Sequence, residues 1–452
     1  MSKKLPLTLG TEPIKKLLKE YAMPSIIAMT ASSLYNMVDS IFIGHGVGEL
    51  ALSGLAVTFP LMNLAAAFGS LVGVGASTLI SVRLGQKDYK TAQQVLGNVF
   101  VLNLIIGVCF TALSLTFLEP ILMFFGASQN TLPYAKDYMT IILLGNVITH
   151  IYLGLNAVLR ASGHPRLSMY ATITTVLLNA ILDPIFIFVF EWGIKGAAIA
   201  TILAQIIALT WQCKLFANPN ELLHFQKGIF RLKARIVKDS LAIGMAPFLM
   251  NLASCFIVIL INNGLGRYGG DLAIGAYGIV NRVVFLFVMV VMGFNQGMQP
   301  IAGYNYGALQ MNRVVEVLRV TIQYATMVMT IGFLVGVLIP GWVARIFTSD
   351  KELIDLAVYG MRITVAAFPI IGFQMVVSNF FQSIGLAKKS IFLSLTRQVL
   401  FLIPLLIILP KLCGIMGVWI SLPISDFIAS IVAAIMLHQQ LKRFKLHQTE
   451  TL

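Results

Sequence analysis

Long apolar runs alternate with short polar stretches along the whole chain. Twelve runs can be delimited, at about residues 22–44, 52–80, 97–118, 136–160, 168–190, 195–213, 241–265, 272–302, 316–340, 358–383, 391–409 and 414–437. As a helix rising 1.5 Å per residue, each is long enough to cross about 30 Å of hydrocarbon. A helix also satisfies its own backbone hydrogen bonds, as lipid requires. Runs two and eight exceed one crossing, which predicts tilt or a helical extension. The pattern predicts an all-α membrane protein with twelve transmembrane helices.

The two halves of the pattern match at an offset near 222 residues. Gly44-His-Gly-Val-Gly-Glu-Leu-Ala aligns with Gly266-Arg-Tyr-Gly-Gly-Asp-Leu-Ala, Gly85 with Gly307, and Gly163 with Gly385. Gly196 aligns with Gly417 and Pro24 with Pro247, each within one residue of the same offset. Five matches in register are hard to reach by chance, although any single glycine would mean little. Each half has an even number of spans, so both enter the membrane from the same side. The expectation is two six-helix bundles related by a pseudo-two-fold axis along the membrane normal, a common transporter plan. The expected domains are residues 1–213, a linker over 214–240, and residues 241–452.

Composition agrees: 58% of residues are hydrophobic and 11% are charged, against about 25% charged in soluble domains. The formal net charge of +14 raises the question of nucleic acid, but its distribution answers otherwise. One alternate set of connections, with both termini, carries 24 of the 32 Lys and Arg residues; the other set carries six. Acidic residues show no such bias. This is the positive-inside pattern, so both termini should be cytoplasmic in a multi-pass cell-membrane protein. The longest basic stretch, Lys227, Arg231, Lys233, Arg235 and Lys238, reads as a topogenic loop near anionic headgroups. The polar, basic N-terminus does not read as a cleaved signal. Cys109, Cys213, Cys255 and Cys413 lie scattered in or beside apolar runs without a CxxC pair, and read as small packing residues.

Five charges remain inside spans: Asp39, Asp183, Arg282, Arg362 and Asp426. Each needs a reason, because an ionisable group in hydrocarbon costs at least about 2.5–3.5 kcal/mol. Asp183 follows Asn179 by four residues, so the two share a helix face. Pro184 has no N–H to give, which frees a carbonyl one turn back. Thr201 on the next span adds a hydroxyl. If Asp39 approaches Asp183, two carboxylates share a low-dielectric site, and an H+ or Na+ bound there would neutralise it. Removing that cation would restore the repulsion and favour another helix arrangement. With Na+, the metal ligands would be Asp39, Asn179 and Asp183. At the 222 offset the second half has Ile261 and Leu405 in place of these acids, which confines the coupling site to the first bundle.

Tyr35, Pro24, Arg282 and Asp426 are candidate cavity or gating positions. Arg282 and Arg362 either pair with Asp426 or line an aqueous cavity; Arg362, near the start of its span, can also snorkel outward. Pro24 and its twin Pro247 mark kink points or helix starts. His150 reads as a packed, hydrogen-bonded histidine. The 20 Met and 29 Phe residues suit an adaptable apolar cavity or lipid-facing surfaces. No GxxxxGK[ST] occurs, nor HExxH, nor GxSxG, and the largest connection spans only residues 214–240. Neither a fused ATPase nor an enzyme is expected.

Several stretches resemble the multidrug and toxic compound extrusion (MATE) family. They are Tyr35-Asn-Met-Val-Asp39-Ser-Ile-Phe-Ile-Gly44, Arg160-Ala-Ser-Gly-His-Pro-Arg166, Leu178-Asn179-Ala-Ile-Leu-Asp183-Pro184 and Gly193-Ile-Lys-Gly196-Ala-Ala-Ile-Ala-Thr201. The resemblance covers nearly the whole chain and is nearest to the DNA-damage-inducible type of prokaryotic member. It implies a V-shaped pair of bundles that exports amphipathic, often cationic, drugs in exchange for H+ or Na+, with no cofactor. It places the cation site on Asp39, Asn179, Asp183 and Thr201. The other prokaryotic branch uses acids on spans seven and ten. This chain has none within those spans, only Asp239 at the edge of span seven, which favours the first-bundle site. The expectation is a monomeric secondary exporter in the lipid bilayer. A lipid-linked precursor flippase ranks second, because only Arg282 and Arg362 could meet a pyrophosphate. A membrane-embedded lipid-modifying enzyme ranks third.

Overall fold

The computed structural model describes residues 8–450, apart from the side chains of Met37, Glu49, Asp271 and residues 447–450. Every regular element among the described residues is a helix. The first half contains α1 (Thr8–Thr11), α2 (Ile14–Gly46), α3 (Glu49–Gly85), α4 (Tyr89–Thr116), α5 (Leu118–Phe124), α6 (Leu132–Leu144), α7 (Asn146–Ala161), α8 (Pro165–Pro184) and α9 (Gly193–Phe216). The second half opens with α10 (Ala234–Gly307), two arms joined at Gly270, whose φ of 69° breaks the helix. It continues with α11 (Met311–Leu338), α12 (Pro340–Phe347), α13 (Lys351–Thr364), α14 (Phe368–Ser383), α15 (Ala387–Leu395), α16 (Ile403–Cys413) and α17 (Ile415–Glu450).

Among the described residues, eleven helical segments are long and apolar enough to span a bilayer, and α6 with α7, bent by 54° at Gly145, makes the twelfth. The bent pair occupies the run expected at 136–160. The repeat is also more regular in the structure than the glycines alone suggest. The pairs α4/α11, α5/α12, α7/α14, α8/α15 and α9/α17 each begin 222 residues apart. Positive-φ turns recur at the same spacing, at Gly48 and Gly270, Lys87 and Leu309, and Gly163 and Gly385. Lys87 and Leu309 are not glycines, so this turn recurs without the residue that most readily adopts it.

The expected linker over 214–240 is shorter, because α9 runs to Phe216 and α10 starts at Ala234. The segment between them is docked on α4. Gln94 and Asn98 donate side-chain hydrogen bonds to the Ile229 and Arg231 carbonyls at 2.8–3.4 Å, and Gln93 to the His224 carbonyl. These bonds satisfy backbone groups that no helix ladder serves.

The chain packs into two compact units whose limits differ from the expected domains. One comprises Ile27–Phe248 with α1; the other comprises Glu12–Ile26 with the chain from Leu249 onward. Helices α2 and α10 each pass from one unit to the other, two residues after Pro24 and one residue after Pro247. The twin prolines thus mark the crossing points, and α2 runs unbroken through Pro24.

Within the first unit an apolar cluster joins Ile43, Leu61, Leu118, Tyr138, Ile142, Ile187 and Ile194. It ties α2, α3, α5, α6 and α9 together around the end of α2. Close approach elsewhere depends on small residues, as expected where lipid supplies no hydrophobic drive between helices. A Cβ on Gly196 would lie 2.9 Å from the Phe186 carbonyl oxygen, so this glycine lets α9 press against the end of α8.

Candidate cation site

Asp39 lies on α2 and Tyr35 one turn before it; Asn179 and Asp183 share a face of α8; Thr201 lies on α9. The fold brings all five together. Asp39, Asn179 and Asp183 are 6%, 1% and 0% exposed. The Asp39 and Asp183 carboxyls stand within hydrogen-bonding reach of each other. The Asn179 amide donates to Asp183 Oδ1 at 3.2 Å and to Thr201 Oγ1 at 3.3 Å. The Tyr35 hydroxyl lies 3.3 Å from Thr201 Oγ1. Thr201 spends its only hydrogen on the Ala197 carbonyl, 3.1 Å away. It therefore accepts from both Asn179 and Tyr35.

Local sequence explains the arrangement. The four-residue spacing of Asn179 and Asp183 puts the amide over the carboxylate. Pro184 cannot donate to the Ala180 carbonyl, and beyond it the helix widens, with Phe190 N bonding Ile185 O at 3.0 Å. Such wide turns recur at functional sites. Gly196 brings Thr201 close to α8.

The chemistry follows from the donor set. Three buried oxygens, Asp39 Oδ1, Asp183 Oδ2 and Asn179 Oδ1, have no protein partner. Two carboxylates in contact inside a low-dielectric bundle repel unless a positive ion lies between them. The set of two carboxylates, an amide oxygen and a hydroxyl suits a proton or a small hard cation. No group of three His, Cys, Asp or Glu side chains gathers anywhere among the described residues, so a tightly held transition metal is not what this site is built for.

Tyr138 on α6 is a member that sequence reading missed. It is 2% exposed and lies near Thr201 and both acids. Nothing in the local pattern of α6 marks it, because only the tertiary packing turns it toward α8 and α9.

The remaining candidates fall elsewhere. Asp426 on α17 does not pair with Arg282 or Arg362. Its Oδ1 accepts from Arg397 Nε at 2.6 Å. The helix from Ala387 carries Arg397 into the apolar run, where a buried carboxylate requires it. Arg282 lies instead over the Phe347 ring at 6.0 Å, and Arg362 is exposed on α13. His150 is fully buried with Nε2 2.9 Å from the Ala65 carbonyl, the packed histidine that was expected. Pro24 lies on α2, 11 residues before Tyr35.

Comparison with known proteins gives the following. The sequence model of the MatE family matches residues 24–185 and 245–408, two blocks that reproduce the internal repeat. The multidrug export protein MepA of Staphylococcus haemolyticus is 27% identical over 425 residues, covering 94% of this chain and 93% of that protein. The MATE multidrug transporter DinF-BH, whose structure was solved with a bound ligand, is 35% identical with a TM-score of 0.89, covering 97% of this chain and 98% of that one. An outward-facing multidrug resistance MATE family transporter of the MOP superfamily superposes with a TM-score of 0.92 at 25% identity, covering 98% and 99% of the two chains.

Proposed function

Because the chain belongs to the MATE family of multidrug exporters, we propose that it expels amphipathic or cationic drugs in exchange for H+ or Na+ bound between Asp39 and Asp183. It is a multi-pass membrane transporter and not an enzyme. Support for the exchange reading comes above all from one observation. Two acids on different helices meet in a buried site whose other members, Asn179, Thr201, Tyr35 and Tyr138, are all uncharged.

The mechanism uses charge compensation. With a cation bound, the two carboxylates tolerate each other and α2 stays packed against α8. When the cation leaves, like charges at close range in a low dielectric drive the helices toward another arrangement. The cation's differential affinity for the two arrangements is the coupling energy. One cation moving down about 100 mV releases about 2.3 kcal/mol. A tenfold uphill export of a neutral drug needs about 1.4 kcal/mol, so one cation per cycle is sufficient.

The bias of Lys and Arg toward one set of connections supports an orientation with both termini in the cytoplasm of a cell-membrane protein. The Asp39 site then lies nearer the outer face, since α2 starts inside and Asp39 is seven residues before its end at Gly46.

The test is drug efflux from reconstituted vesicles with pH and sodium gradients imposed separately. Efflux should follow one or both gradients, collapse with an ionophore and ignore ATP. Asp39→Asn and Asp183→Asn should each abolish driven efflux, a loss of at least about 100-fold, while expression stays normal. Wild-type rates in either variant would remove the coupling role.

A further inference from the structure

A ladder of polar side chains leads away from the cation site along the interface of α7 and α8. On α8 it comprises Asn179, Thr175, Thr172 and Ser168, spaced three or four apart so that they line one face. On α7 it comprises Tyr152, Asn156 and Arg160, spaced four apart. The two rows bond across the interface. Thr175 Oγ1 donates to the Tyr152 hydroxyl at 3.3 Å. Asn156 Nδ2 donates to Thr172 Oγ1 at 3.1 Å, and Arg160 Nη1 to Ser168 Oγ at 3.0 Å. From Asp183 to Ser168 the ladder covers 15 residues, or about 22 Å of helix. Buried Asn156 Oδ1 and Asn179 Oδ1 have no protein partner, so the seam keeps acceptor capacity at two of its rungs.

The last rung differs from the others. Arg160 is partly buried in the final turn of α7, and none of the ion pairs formed by the described residues includes it. The negative end of the α7 dipole supports its charge there. A guanidinium on a narrow polar path inside a bundle repels any cation that would follow that path.

The second half supplies an internal comparison. At the 222 offset Asn156, Thr172 and Ser168 become Ser378, Ser394 and Ser390. Ser378 and Ser394 lie 3.1 Å apart, and Ser390 donates to the Ser378 carbonyl. Here the position of Arg160 is Gln382, and the position of Thr175 is Arg397, bound to Asp426. The positions of Asn179 and Asp183 are Phe401 and Leu405. Where the seam leads to no acid pair, its cytoplasmic rung is neutral. Where it leads to the acid pair, that rung is an unpaired cation.

We propose that the α7–α8 seam is an intralobe path between the cation site and the cytoplasm, and that the Arg160 guanidinium holds it closed to cations. This rests on the coupling role proposed for Asp39 and Asp183. Arg160 prevents the inward gradient from running down through the lobe without moving drug. It acts on the ion through its field and leaves the site's ligands untouched.

The experiment measures drug-free cation entry. Full-length protein is placed in phosphatidylcholine–phosphatidylglycerol vesicles loaded with a proton- or sodium-sensitive dye, and each gradient is imposed in turn. Arg160→Gln keeps a donor for Ser168, and the fold already accepts glutamine at the equivalent Gln382. It should raise drug-free entry by about tenfold or more, while Arg160→Lys stays near wild type. Adding Thr172→Val and Thr175→Val to Arg160→Gln should return entry to the wild-type level, because the rungs are gone. Arg160→Met is a second neutral variant, read the same way. Neutral variants as tight as wild type would overturn the seal, and a leak indifferent to the two valines would overturn the path. Wild-type drug efflux in the same vesicles reports on the exchange reading separately.

Discussion

Asp39 and Asp183 lie so close in a buried site that each makes the other's charge expensive. Among the described residues neither has a basic partner, whereas Asp426 has Arg397 tethered at 2.6 Å. The two acidic sites thus differ in one respect, whether the compensating cation is tethered. A tethered cation cannot be exchanged, so in the proposed cycle the Arg397–Asp426 pair serves the fold. Arg397→Met would leave a buried carboxylate alone, and should cost about 3–5 kcal/mol of stability. Thermal unfolding in detergent checks this, and Arg397→Met with Asp426→Leu should recover most of the loss, since both charges are then gone. At this scale the sequence was legible where one helix holds both partners. Asn179 and Asp183 follow from a spacing of four. Arg397 and Tyr138 were not legible, because their partners lie on other helices and no local period points to them.

Among the elements, helix ends carry much of the definition. Asp88 caps α4, its carboxylate accepting from Thr91 N at 3.1 Å. The hydrogen bonds from Thr91, with Arg83 and Lys90 nearby, hold this carboxyl below its ordinary range against a smaller opposing effect of burial. A depressed carboxyl stabilises the fold above its unfolded value and loses that contribution as pH falls through the folded value. Asp88→Ala should therefore cost about 1 kcal/mol at neutral pH. The gap between variant and wild type should close only below about pH 4, as followed by denaturation across a pH series. The α-helical ladder is interrupted at matching places in the halves: α6 to α7 bends at Gly145, and α13 passes to α14 through one 3-10 turn over Val365–Ala367 within a continuous span. Gly145 and Ala367 stand 222 residues apart, so the interruption belongs to the repeated plan, while the 54° bend is confined to the half that has glycine there.

For the whole molecule, orientation and ion coupling are linked. If the basic connections face the cytoplasm, the acid pair lies toward the outside and the α7–α8 seam toward the inside. With the native cysteines replaced, Lys227→Cys and Ser128→Cys report on the two faces. In intact cells a membrane-impermeant maleimide should label position 128 and spare 227; the reverse would invert the orientation. The sequence alone determined the twelve spans, the repeat near 222, the charge bias and the identity of the acids. Each depends on composition or on spacing within one helix, which the chain carries locally. Only the tertiary structure decided that Asp39 touches Asp183, that Arg397 had already claimed Asp426, and that α2 and α10 change units beside Pro24 and Pro247. Those outcomes depend on how separate helices pack. In a membrane, where nearly every helix face is apolar, the hydrophobic pattern does not say which faces meet.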